Sequence, residues 1–286
     1  MTVKACILGV AAAICLAVDP SAAVSAERVF LVGDSTVASY PETRKPLAGW
    51  GQMLPLHFDS QVTVVNRGIG GMSSKTYIDS GTWKKLLQET TKGDYIFIQL
   101  GHNDQYASMP DKFTHPDTTY QEYLKRYVDE ARAAGCIPVL VTPVARATGL
   151  KADGTYTESH ALRLPAGSKL PAANLTYPEA VREVAKTTQT PLIDLHARSK
   201  ESIVALGFEK ASELYLCCAP GVYAAYPDGK QDREHLSEKG ARQFAGFVAE
   251  GIVALKLPLA RHVRGVSGPA TKGDAGARLP VRRAGQ

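Results

Sequence analysis

The run Tyr95-Ile96-Phe97-Ile98-Gln99-Leu100 passes directly into Gly101-His102-Asn103-Asp104, and this junction sets the architecture. Six largely apolar residues suit a strand covered on both faces better than a helix. A glycine ends the run, and three polar residues follow at its carboxyl end. Comparable apolar runs occur at 29–32, 62–65 and 137–142, with a shorter one at 191–194. Helical patterns fill the intervals at 48–57, 82–90, 118–134 and 178–187, and a last one covers 237–255. Strand alternating with helix predicts an α/β fold, an open parallel sheet of five strands in three α/β/α layers. No internal repeat or central linker interrupts the pattern. At 286 residues and 44% hydrophobic composition, the chain suits one domain with one substantial core.

Ligands bind outside the carboxyl ends of the strands in such a sheet. Three polar islands follow the first three strands: Gly33-Asp34-Ser35-Thr36, Gly70-Gly71, and Gly101-His102-Asn103-Asp104. A fourth, Asp232-Arg233-Glu234-His235, precedes the last helix. Each alone is ordinary: a turn, a loop, a helix cap. In chain order they supply a hydroxyl nucleophile, a backbone donor, a side-chain amide donor, and a base with a carboxylate, which are the components of acyl transfer. Asp232 precedes His235 by three residues, and the spacing predicts a single helical turn with both side chains on one face. Asp34 and Thr36 read as supports of the turn, and Gly70 as a turn residue.

The blocks 30–36, 66–74, 97–104 and 232–241 resemble the SGNH (GDSL-like) hydrolase superfamily, and their wording is nearest to its rhamnogalacturonan acetylesterase branch. The likeness runs over roughly residues 28 to 255. It implies a flavodoxin-like sheet, with Ser35 as nucleophile, His235 as base and Asp232 orienting the imidazole. It also implies an oxyanion hole built from the Ser35 amide, the Gly71 amide and the Asn103 side chain, Gly71 being the position five residues after Asn66. His102 would line the acyl pocket or pack as a structural histidine. The implied activity is that of a secreted serine esterase removing O-acetyl groups from a pectic polysaccharide through an acetyl-serine intermediate. Its substrate would be an acetylated polysaccharide, with no cofactor, no metal, and neither nucleic acid nor membrane as partner, and a monomer is expected. The rivals are an esterase on xylan or a lipid ester, and a catalytically silent glycan-binding module.

Other chemistries lack their signatures. There is no Gly-x-Ser-x-Gly elbow, P-loop, dinucleotide fingerprint or His-Glu-x-x-His, so covalent catalysis without a metal is expected. His57, His115, His160, His196 and His262 have no motif around them and read as surface or structural. Residues 1–26, with Lys4 followed by an apolar run and the small residues Val24-Ser25-Ala26, read as a signal peptide, and a secreted or periplasmic protein follows. The catalytic domain is expected at 27–257 and a disordered basic tail at 258–286. That tail carries the formal net charge of +5, which leaves the body about neutral. Cys136 reads as a core thiol, while Cys217 and Cys218 allow either a vicinal disulfide or two free thiols. Two inserts, 143–176 and 207–231, sit on the same edge as the islands. Their Tyr156, Tyr215, Tyr223 and Tyr226 would either stack on sugar rings or pack their own loops.

Overall fold

A strand covered on both faces must divide its side chains between two cores, and the first strand does so. In β1 (Glu27–Gly33), Val29 and Leu31 join one hydrophobic cluster while Phe30 and Val32 join the other. The same two-residue period splits β3 (Tyr95–Gln99), where Phe97 faces one side and Ile96 and Ile98 the other. It also splits β4 (Ile137–Val141), with Val139 and Val141 set against Leu140. With β2 (Val62–Asn66) and β5 (Leu192–Ile193), these strands form one parallel sheet in the order β2-β1-β3-β4-β5. The structure is a computed structural model and describes residues 26–265.

Helices cover both faces. On one side lie α1 (Trp50–Met53), α6 (Leu195–Ala211) and α7 (Glu238–Ala254), which contribute Trp50, Ile203, Phe244 and Val248 to the first core. On the other lie α2 (Ser74–Asp79), α3 (Thr82–Glu89), α4 (Thr119–Ala133) and α5 (Tyr177–Thr187), which contribute Tyr77, Trp83, Leu124 and Val181 to the second. This is the expected three-layer α/β/α sandwich with a flavodoxin-like strand order. The winding reverses between β1 and β3, where Gly33 pairs with Gln99 at the strand ends, and such a switch point opens a crevice for a ligand.

Three features depart from the sequence reading. The helix α6 was unforeseen, and within it Gly207 takes a φ of 78° that interrupts the helical path. A small antiparallel pair, β6 (Tyr215–Cys218) and β7 (Lys230–Leu236), stands apart from the main sheet. The domain edge expected at 257 also falls short. Residues Pro258–His262 form a 3-10 helix whose Leu259 is fully buried. Asp59 donates its N–H to the His262 carbonyl at 3.0 Å, and Arg264 donates to the His57 carbonyl at 2.8 Å. The folded body therefore continues through residue 264. The rest of the proposed tail, 266–286, and the proposed leader as far as 25 lie outside the described residues. Among the described residues no helix is long and apolar enough to cross a membrane.

Candidate active site

Ser35 occupies the turn that leaves β1. The Asp34 carbonyl accepts the Val37 and Ala38 N–H groups at 3.1 and 3.0 Å, so the chain folds back tightly, and a Cβ at Gly33 would lie 2.2 Å from Val37 Cγ2. Any side chain at that position would have to displace Val37. Asp34 braces the turn from inside: its Oδ1 accepts the Thr36 N–H at 2.9 Å and the Thr36 hydroxyl at 2.8 Å. From the neighbouring strand, Gln99 donates to Thr36 Oγ1 at 2.8 Å while accepting from Trp50 Nε1 at 2.7 Å. Tyr40 donates its hydroxyl to the Ser35 carbonyl at 2.8 Å. Ser35 itself remains half-buried beside a cleft.

The loop after β2 is tied to that turn. Asn66 donates to the Val37 carbonyl at 2.7 Å and to Ser39 Oγ at 3.0 Å, and its Oδ1 accepts the Gly68 N–H at 3.0 Å. Ile69 donates its N–H to the Gly33 carbonyl at 2.9 Å. The loop then turns through Gly70 and Gly71, closed by the Met72 N–H on the Ile69 carbonyl at 3.4 Å. Gly71 has a φ of 80°, a conformation open to glycine and costly for other residues. Gly70 packs nearer the serine, since a Cβ there would lie 3.7 Å from Ser35 Cβ. Asn103, after β3, donates Nδ2 to the Met72 carbonyl at 2.9 Å, which fixes its amide beside the same loop and leaves its second N–H uncommitted. Asp104 secures this arrangement from behind. Its buried Oδ1 accepts from the Ser74 N–H at 2.9 Å, the Ser74 hydroxyl at 2.5 Å and the Thr114 hydroxyl at 2.8 Å. Burial pushes this carboxyl up to about 6 despite those donors.

Asp232 and His235 do not share a helical turn as the spacing suggested. They belong to β7, where Leu216 pairs with Asp232 and Tyr215 with Leu236, so residues 233–235 bulge out of the ladder. The carboxylate organises the bulge: Asp232 Oδ1 accepts the Glu234 and His235 N–H groups at 2.9 and 3.0 Å, and Oδ2 accepts from His235 Nδ1 at 2.8 Å. Burial opposes the Asp232 charge, but the His235 ring, the two backbone donors and the His235 charge hold the carboxyl well below its usual range. Conversely, the hydrogen bond to Asp232 lifts His235 above the ordinary histidine value against a smaller desolvation effect. With Nδ1 committed to Asp232, Nε2 is the nitrogen that can accept a proton. Arg233 anchors the bulge by donating to the Ala147 carbonyl at 3.3 Å and the Phe208 carbonyl at 3.1 Å.

Ser35, His102, Asn103 and His235 thus line one cleft of about 60 Å³, together with Tyr106, Arg146 and Glu234. A larger apolar cavity of about 510 Å³ lies away from them, between β5 and α7. His102 belongs partly to the frame of the site: its Nδ1 meets Asp34 Oδ2 at 2.9 Å and its Nε2 meets the Val144 carbonyl at 3.1 Å. Both partners are acceptors. Burial would raise Asp34, yet the His102 charge and hydrogen bond, with the Thr36 donors, bring it below its normal value. Arg146 is buried and donates to the His102 carbonyl at 2.8 Å and the Ser159 carbonyl at 3.0 Å. Neither Arg146 nor Tyr106 carried a motif in the sequence, while Glu234 lay unassigned inside the last island. Among the four candidate tyrosines, Tyr215 is fully buried and donates to the Ala145 carbonyl at 2.6 Å, which excludes it from sugar stacking. Cys136, Cys217 and Cys218 are free thiols, and Cys217 donates to the Asp232 carbonyl at 3.4 Å.

The family model of the GDSL-like Lipase/Acylhydrolase family matches residues 31–243, a span that contains all four islands. The chain belongs to that family. Its relatives include the rhamnogalacturonan acetylesterase RhgT of Bacillus subtilis, 38% identical over 236 residues that cover 82% of this chain and 94% of RhgT. Among solved structures, the Bacillus subtilis protein YxiM superposes with a TM-score of 0.65 at 25% identity, over 81% of this chain and 57% of its own. A catalytic mutant of Axe2, an acetylxylan esterase from Geobacillus stearothermophilus, superposes with a TM-score of 0.53 at 20% identity, over 80% and 94% of the two chains. The family is one of lipases and acylhydrolases, and the fold is shared with these solved structures.

Proposed function

We propose that this chain is a secreted serine acetylesterase that removes O-acetyl groups from a pectic polysaccharide of the rhamnogalacturonan type. The observation that carries the reading is the Asp232–His235 pair on the β7 bulge, which keeps Nε2 available to a cleft shared with Ser35 and Asn103. In this reading the Ser35 hydroxyl attacks the acetyl carbonyl as its proton passes to His235 Nε2. The negative oxygen of the tetrahedral intermediate is met by the Ser35 and Gly71 N–H groups and the uncommitted N–H of Asn103. Collapse returns the proton to the departing sugar oxygen and leaves acetyl-Ser35. Water, deprotonated by His235, then releases acetate. Asp232 keeps the imidazole in the required tautomer and stabilises the imidazolium.

The polysaccharide choice rests on the similarity to RhgT. The small size of the cleft, about 60 Å³, suits a two-carbon acyl group. Secretion rests on the leader pattern in residues 1–26. Acetate release measured across acetylated rhamnogalacturonan, xylan and mannan tests the assignment. The expected result is the highest kcat/KM on rhamnogalacturonan, and equal or better turnover of xylan would transfer the protein to another glycan.

A further inference from the structure

Behind the cleft, three side chains converge that play no part in the chemistry above. Glu158 and His160 come from the insert after β4, and His196 comes from the first turn of α6. Glu158 Oε2 lies 3.3 Å from His196 Nε2, and Oε1 lies 3.5 Å from His160 Nδ1. One ligand atom from each of the three falls within 4.8 Å of the others. We infer that Glu158, His160 and His196 form a binding site for a divalent transition-metal ion of the zinc type, which clips the insert to α6.

Three observations support this site. The first is spacing: tetrahedral ligands at about 2.0–2.1 Å from zinc stand about 3.3–3.4 Å apart, and the two oxygens of the Glu158 carboxylate stand 3.3 Å from His196 Nε2 and 3.5 Å from His160 Nδ1. The second is orphaned polarity. His196 is 3% exposed and His160 0% exposed, yet Nε2 of neither makes an aligned hydrogen bond among the described residues, with Glu158 Oε2 standing 3.3 Å from His196 Nε2. A native interior rarely leaves such atoms unpaired without a purpose. Coordination at His196 Nε2 would satisfy one of them. The third is a rigid carboxylate, since Glu158 Oε1 accepts the His160 N–H at 2.8 Å. The Arg146 guanidinium nearby is answered by Glu234 at 3.7 Å. Two histidines and a glutamate leave a coordination position for water. The His160 ring packs edge-on against His102 at 4.7 Å, so the ion would sit one side-chain layer behind the cleft, as a clasp on its wall.

The test is a titration of untagged, chelator-stripped full-length protein with Co²⁺, whose d–d absorption reports tetrahedral coordination, followed by displacement with Zn²⁺. The expected result is intense visible bands that saturate at one Co²⁺ per chain, disappear on adding Zn²⁺, and are absent in Glu158→Gln and His196→Gln. Zn²⁺ should also raise the Tm of the wild type and leave that of the variants unmoved. Hydrolysis of p-nitrophenyl acetate by Glu158→Gln would establish that the variant is folded. The site is overturned if wild-type protein gives no saturable tetrahedral bands, which needs no variant, or if the bands survive in both variants. Either outcome is independent of the esterase reading.

Discussion

At the scale of single residues, the proposed mechanism asks some groups to react and others to hold them. Asn103 donates one N–H to the Met72 carbonyl, and in the proposed mechanism the other meets the oxyanion. Asn103→Ala should therefore lower kcat about 100-fold with little change in KM, and a change confined to KM would make it a substrate-binding residue instead. For His235, the sign of the pH dependence follows from its partner. Hydrogen bonding to Asp232 favours the imidazolium and raises the ring's pKa. Since only the neutral ring accepts the serine proton, kcat/KM should rise with pH through an acidic limb above the reference value of about 6.5. Asp232→Asn should move that limb to lower pH while reducing the plateau, and a limb that stays in place would separate the carboxylate from the base.

Elements position these residues, and their own tolerances are testable. Because a Cβ on Gly33 would fall 2.2 Å from Val37 Cγ2, Gly33→Ala should destabilise the fold by about 1–3 kcal/mol, read as a fall in the urea midpoint with an unchanged slope. The ends of β1, β2 and β3 were legible because apolar runs closed by glycine or asparagine carry their own boundaries. The Ser35 turn, the Gly70-Gly71 loop and the Asn103 junction followed from them. The Asp232–His235 pairing was legible as a pair but not as a conformation. Lys230-Gln231-Asp232-Arg233-Glu234-His235 has no alternation to mark a strand, and β7 is set by its long-range partner β6 and by the Asp232 carboxylate. Helix α6 escaped notice because few of its positions face the core, Leu195, Ile203 and Ala211 among them, and Gly207 breaks its pattern. The Asp34–His102 pair and the buried Arg146 join residues 68 and 44 positions apart, which no local pattern announces.

For the whole molecule, the packed 3-10 turn at Pro258–His262 separates two truncations. Ending the chain after residue 265 should leave p-nitrophenyl acetate hydrolysis and Tm unchanged. Ending it after 257 removes the buried Leu259 and the contacts to residues 57 and 59, and should lower the Tm. Equal Tm values for both truncations would restore the shorter boundary. The central claim, that an intact Ser35-centred site does the chemistry of this fold, is met most directly by acetate release from acetylated rhamnogalacturonan, compared between wild type and Ser35→Ala. Steady release by the wild type is expected, with a loss on the order of 10³-fold or more in the variant at unchanged Tm. Near wild-type release by Ser35→Ala would contradict it.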